Sequence, residues 1–227
     1  MICGSGWCRE QSAVDLDSPT SPVYGYCLCA LSSLIFVEDP KDFLVVGLGA
    51  GTIPKMIKFF YPDAVIDVVE IDEEIYNVAK EFFFFNHGAS VTVSIMDGRD
   101  FINRQIDQGR KYDVVILDAF NTDYIPERLK TVEFYKEVGE IINEGGVVSC
   151  NLVKGNPNYP AHLVTLKKAF DSNMYECLDP FMKHSTAFVH VTDSKFVNEQ
   201  MEEIFPTARR IQKKEIDESK KAFKDGE

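Results

Sequence analysis

After residue 40 the chain alternates short, mainly apolar runs with amphipathic stretches, and most of the runs stop at a glycine or an acid. Phe43-Leu44-Val45-Val46 is unbroken, and Val65 to Val69, Tyr112 to Leu117 and Val147 to Val153 are largely apolar, as strands buried on both faces must be. Val91 to Ile95 alternates and reads as a further strand. Between them, Ile53, Met56, Ile57 and Phe60 repeat at helical spacing, as do Ile75, Val78, Ala79 and Phe82, and then Phe101, Ile102 and Ile106. Thr52 is the expected cap of the first of these helices. Two more helices are predicted, Thr131 to Ile142 and His162 to Phe170. Met174 to Leu178 and Thr186 to Thr192 then read as an antiparallel pair at the sheet edge. The pattern specifies an α/β fold: a doubly wound, Rossmann-like, seven-stranded sheet with an antiparallel edge strand. Sheets of this kind bind ligands beyond the carboxyl ends of their strands, where the strand order reverses.

A chain of 227 residues, 45% apolar, fills one core and not two. Residues 21–205 are the expected α/β domain and 206–227 a charged tail, read from Arg209 onward as a solvated, fraying helix. The apolar stretch Val23 to Val37 is too short to span a bilayer and reads as a buried helix. A net charge of −12 argues against nucleic acid, whose phosphates want a basic face. Cysteines 3, 8, 27, 29, 150 and 177 form no CxxC pair and have no histidine at ligand spacing, so no metal is expected. They read as small buried hydrophobes in a reducing compartment, and with no signal peptide visible the expected location is cytoplasmic. His87, His162, His184 and His190 follow no ligand pattern and read as structural or surface residues. Phe82 to Phe85 reads as a helix end packed under the sheet.

The chemistry concentrates at the strand ends. Gly47-x-Gly49-x-Gly51 is a strand-to-helix turn that lets a ligand touch backbone. Alone it fits a nicotinamide dinucleotide as well, although that fingerprint wants glycine where Thr52 stands. Glu70, about twenty residues on, is placed to accept both hydroxyls of a ribose; its bland alternative is a helix cap, a part Asp72 can take. Asp97-Gly98 can accept the amine of adenine on the carboxylate and meet a ring nitrogen with the next N–H, or Asp97 can simply cap a helix. Asp118, with Asp123 and Tyr124 in the following loop, is the candidate reaction centre, an acid able to hold or deprotonate an attacking amine. Its alternative is a loop cap.

Glycine loop, Glu70, Asp97 and Asp118 in that order match S-adenosylmethionine-binding transferases, which implies a sheet of the class I methyltransferase type. The run from Gln11 to about Leu152 further resembles the spermidine synthase (polyamine aminopropyltransferase) family. The likeness is carried by Gln11 with Asp15-Leu16-Asp17, Tyr24-x-Tyr26, Val45 to Pro54, Val69-Glu70-Ile71-Asp72, Asp97-Gly98-Arg99, Leu117-Asp118-Ala119-Phe120 and Thr131-x-Glu133-Phe134-Tyr135. The resemblance implies that Glu70 holds ribose and Asp97 adenine. It counts Ile71 and Gly98 among the cofactor contacts, sets Gln11 near the cofactor's tail, lines the amine channel with Tyr24 and makes Asp118 the base. It also implies a small-molecule amine as substrate, with a homodimer as the candidate assembly. Three departures stand out: Ala50 where the family loop has aspartate, Asn121 where a second aspartate is usual, and only residues 1–20 remaining of a β-rich N-terminal segment. Three readings follow: an aminopropyltransferase using decarboxylated S-adenosylmethionine on an amine such as putrescine, a methyltransferase using the ordinary cofactor, or a non-catalytic relative.

Overall fold

The structure, a computed structural model, describes residues 12–18, 21–86, 88–119, 124–179, 187–197, 209–211 and 215. Helix α1 (Tyr26–Leu31) runs into a 3-10 turn, Ser32–Phe36, where a single buried helix was expected. There follow β1 (Asp42–Val46), α2 (Thr52–Phe60), β2 (Val65–Glu70), α3 (Glu73–Phe82), β3 (Val91–Ile95), α4 (Gly98–Asp107) and β4 (Tyr112–Leu117). A 3-10 turn, Glu127–Leu129, leads to α5 (Val132–Glu140), β5 (Ile142–Leu152), α6 (Tyr159–Ala169), β6 (Asn173–Leu178), β7 (Ala187–Thr192) and β8 (Arg209–Arg210).

The sheet order is β3-β2-β1-β4-β5-β7-β6-β8, parallel from β3 through β5, with β7 antiparallel to both β5 and β6. The seven main strands make the doubly wound sheet that the sequence pattern specifies, of the class I methyltransferase type that the resemblance implies. The start of the charged tail differs from the helix expected of it: Arg209 and Arg210 pair with Glu176 and Tyr175, and Ile211 is buried. One apolar residue at Ile211 gives this polar segment an anchor, and the free edge of β6 gives it backbone partners.

Continuous apolar strands follow from cover on both faces. Phe43, Val45, Val114 and Ile116 point into the core under α1, α2 and α3, while Leu44, Val46, Val115 and Leu117 point into the core under α4, α5 and α6. Buried His190 lies hydrogen-bonded between Ser32 Oγ (2.8 Å) and Ser149 Oγ (3.0 Å), which ties the turn after α1 to β5 and β7. His190 is structural, as the sequence suggested; His162 is half-buried, and His87 and His184 lie outside the described residues. Cys27, Cys29, Cys150 and Cys177 are buried, and none of them is in a disulfide. No described helix is long and apolar enough to cross a membrane.

Two local readings change. Gly51, not Thr52, is the N-cap residue of α2, without a side-chain cap; Thr52 opens the helix itself. In the phenylalanine run only Phe85 is buried, and it packs beneath the glycine loop, while Phe82 and Phe84 face solvent.

Capping and core predict unequal sensitivities. Asp72 caps α3 by accepting the Glu74 N–H at 2.8 Å, so Asp72→Ala is expected to cost about 1 kcal/mol. Ile66→Ala, on a fully buried β2 side chain, is expected to cost about 2–5 kcal/mol. Equilibrium denaturation of the two variants checks the order.

Candidate active site at the strand tips

The tips of β1 and β4 meet at Gly47. The Asp118 N–H donates to Val46 O and the Gly47 N–H to Val69 O, both at 2.8 Å. Gly47 has φ +99°, and a Cβ there would lie 2.4 Å from the Asp118 carbonyl oxygen. No other residue type permits that approach. Gly51 has φ +71°, and a Cβ on it would stand 2.5 Å from the Phe85 ring. Gly49, between them, is exposed, so the loop presents bare backbone at its crest. Ser12 Oγ lies 3.6 Å from where a Gly49 Cβ would be, which brings the 12–18 segment against that crest.

Glu70 closes β2 with its carboxylate buried against this loop. Its Oε2 accepts the Leu48 N–H at 3.0 Å and its Oε1 the Asp72 N–H at 3.1 Å. Each oxygen keeps a lone pair for a further donor. Because Asp72 takes the capping of α3, Glu70 is not used up as a cap. Ile71, beside it, is 70% exposed, an apolar side chain left at a strand tip.

Asp97 does cap a helix: its Oδ1 accepts the Arg99 N–H at 2.9 Å and the Asp100 N–H at 3.2 Å. Its Oδ2 faces outward and lies 3.1 Å from Arg128 Nη1. Gly98, next in line, packs its backbone against Val46, whose Cγ1 would stand 2.7 Å from a Cβ. Between the tips of β1, β4 and β5 and the Glu127–Leu129 turn lies a small, nearly closed apolar hollow, lined by Val46, Leu117, Ala119, Ile125, Leu129 and Cys150 among others.

Asp118 is the most perturbed carboxyl of the site. Burial pushes its pKa up to about 7; the charge of Glu70 adds to the rise, and a hydrogen bond from Asn151 opposes it. The charge of Glu70 acts on Asp118 from the tip of β2, two strands away across β1. Asn151 Nδ2 donates to Asp118 Oδ1 at 2.6 Å. The Asn151 Oδ1 is buried and finds no hydrogen-bond partner among the described residues. From α1, Tyr26 and Cys27 face the same acid; burial, with Asp118 adding, pushes the Cys27 thiol up to about 12, too high for a nucleophile. Half-buried Tyr24 stacks on Tyr26 at 6.4 Å between ring centroids.

The structure therefore gathers the glycine loop, Glu70, Asp97 with Gly98, and Asp118 at neighbouring strand tips, with Tyr24 in the bend just before α1. Gln11 and Asp123 lie outside the described residues. Asn151 was not singled out from the sequence. Its signal was an amide inside the apolar run of β5, one residue past Cys150, which is in register with Leu117 of β4. Among the described residues no group of three metal-ligating side chains occurs.

Comparison with known proteins bears on the family and the fold. A polyamine aminopropyltransferase from Vibrio vulnificus is 34% identical over 163 residues, covering 71% of this chain and 54% of that protein. A human eEF1A lysine and N-terminal methyltransferase is 33% identical over 128 residues, 52% of this chain and 18% of that protein. The crystal structure of human Methyltransferase-like protein 13 in complex with SAH superimposes with a TM-score of 0.67 at 24% identity, covering 88% of this chain and 91% of that one, a likeness of fold. The chain thus spans about half the length of the aminopropyltransferase it matches. The model of the Spermine/spermidine synthase domain matches residues 28–167, and the chain belongs to that family of transferases, which use S-adenosylmethionine or its decarboxylated form.

Proposed function

We propose that this protein transfers an aminopropyl group from decarboxylated S-adenosylmethionine to a small amine such as putrescine. The observation that carries the reading is Asp118, a carboxyl raised to about 7, held by Asn151 at the tip of β4 and facing Glu70. The cofactor, when bound, supplies a carbon already activated by a sulfonium leaving group.

The residues fit such a ligand. Glu70 has a free lone pair on each oxygen for the two ribose hydroxyls, and the bare loop Gly47 to Gly51 allows backbone contact with the tail. Asp97 Oδ2 and the Gly98 N–H take the adenine edge, with Ile71 against the ring. Asp118 accepts a hydrogen bond from the attacking amine and draws its proton away, since an ammonium has no lone pair to attack with. A base of pKa near the working pH suits that task, and such a group contributes about 10²–10⁴ in rate. Asn151 Oδ1, otherwise orphaned, accepts a second N–H of the same nitrogen and turns its lone pair toward the cofactor. Tyr24 walls the amine channel. Gln11 near the cofactor tail and Asp123 as a second acid complete the reading. Most of the remaining rate comes from alignment of the two reactants.

A second reading, methyl transfer from ordinary S-adenosylmethionine, is favoured by one residue. Ala50 is buried and uncharged where the family loop carries a carboxylate, so nothing there selects against the cofactor's own carboxylate. Calorimetric titration of both cofactors separates the readings: tighter binding of the decarboxylated form, with a spermidine-type product from putrescine, is the expected result. Preference for the carboxylated form would move the assignment to methyl transfer, and failure to bind either would leave a non-catalytic relative.

Asp118→Asn is expected to lower kcat/KM by about 10²–10⁴ while leaving binding of an adenosyl thioether within about threefold. The wild-type kcat/KM is expected to rise with pH through an inflection near 7 that the variant lacks. Stability should move the opposite way. A carboxyl raised on folding favours the protonated form, so its contribution is full below pH ~4 and is lost as pH rises through about 7. Denaturation of the two proteins at pH 5 and at pH 8 (both approximate) is expected to find Asp118→Asn gaining on wild type at the higher pH.

A further inference from the structure

We propose that Arg128 is a latch: it holds the Glu127–Leu129 turn down against Asp97 and Gly98 and thereby sets how fast an adenosyl ligand leaves. The inference rests on the reading that Asp97 and Gly98 hold the adenine edge, and it concerns a residue outside the glycine-loop and acid motifs.

Two contacts among the described residues tie the turn to the domain. Leu129 is buried, with both Cδ atoms 3.8 Å from the Cβ position of Gly98, and it lines the hollow with Ile125. Arg128 then forks across the start of α4, with Nη1 3.1 Å from Asp97 Oδ2 and Nη2 2.7 Å from Asp100 Oδ1. The remaining ion pair of the turn, Lys130 with Glu127, is internal to it and fastens it to nothing. Inner and outer walls therefore differ in kind. Val46, Leu117 and Cys150 belong to sheet strands, whereas Ile125 and Leu129 stay in place only as long as the turn does. One guanidinium making two ion pairs fixes its own side chain once for two bonds, which favours the fork over two separate pairs. Arg128 also sits on the outward oxygen of Asp97, the atom assigned to adenine, so releasing the turn and loosening that carboxylate are one event. The guanidinium is 55% exposed, which keeps the latch weak enough to open and sensitive to salt.

The probes are S-adenosylhomocysteine and methylthioadenosine, with dissociation followed by stopped-flow displacement. Arg128→Ala is expected to raise the off-rate about three- to tenfold, the range for a pair of partly exposed ion pairs, with the on-rate within about twofold. Arg128→Lys, which keeps the charge but not the fork, should fall between. Asp100→Asn should raise the off-rate less than Arg128→Ala and add almost nothing in the Arg128→Ala background, since both act through one contact. Raising salt from about 0.05 M to about 1 M should bring the wild-type off-rate toward that of Arg128→Ala. The unliganded melting temperature of Arg128→Ala should stay within about 2 °C of wild type, which separates a latch from a general prop. Equal off-rates for wild type and Arg128→Ala, or slower release by the variant, would overturn the latch. Failure of the wild-type protein to bind either thioether would strike the adenosyl reading itself, and the latch with it.

Discussion

The meeting of β1 and β4 at Gly47 is the constraint on which the site depends. Two parallel strands must end side by side while the chain leaves one of them in a tight turn. The space between the Gly47 backbone and the Asp118 carbonyl admits no side-chain carbon. That contact sets Asp118 beside the glycine loop, and the loop's next N–H, on Leu48, reaches across to Glu70. Three strand tips are thus sewn together by main chain before any polar side chain is asked to do chemistry. Parallel strands slant their hydrogen bonds and are slightly weaker per residue than antiparallel ones, so a covering of helices on both faces has to hold them in line.

Two carboxylates at adjoining strand tips are then held differently. Glu70 is fastened by two backbone N–H donors. Asp118 has one amide donor and a desolvated setting, and the charge of Glu70 works against a second negative charge nearby. The result is a division of labour written in hydrogen bonds: one acid fixed in place by main chain, the other, Asp118, pushed up to about 7. The overall charge of −12 adds a long-range attraction for cations, but the difference between the two acids is local.

How much of this could be read from the residues depended on whether a signal was local. Continuous runs such as Val45-Val46 and Val114 to Leu117 announced strands covered on both faces, because only such cover makes alternation unnecessary. The glycines and the acids at the strand ends were legible for a similar reason, since each must stand where the chain turns. Asp97 carried two compatible meanings, and the structure records the capping one while leaving Oδ2 outward. Thr52 misled because a threonine after a glycine loop looks like a cap, yet Gly51 in the left-handed region already occupies that position. Arg209-Arg210 misled in another way: their own character is that of a solvated helix, and their strand state comes from the free edge of β6 and from Ile211. Asn151 and Arg128 were illegible for want of a partner in sequence. Asn151 gains its meaning from Asp118, 33 residues away, and Arg128 from Asp100, 28 residues away.

The two faces of the sheet at the strand tips are held to different standards of rigidity, and that bears on how such a site can turn over. On the α1 side, Cys27 and Cys29 are buried, and the 3-10 turn after the helix is pinned through His190, between Ser32 and Ser149. Contacts of that kind are fully desolvated and costly to break. On the other side, the wall formed by Ile125 and Leu129 is secured by a buried leucine and an exposed guanidinium, whose bonds are worth little individually. Of the two walls, the one carried by Arg128 is the cheaper to move. On the proposed reading, a spent nucleoside can therefore leave by lifting the Glu127–Leu129 turn, while Asp118, Asn151 and Tyr24 keep the arrangement that receives the amine. A site that reorganised its base on every cycle would lose the alignment on which transfer between two bound reactants depends.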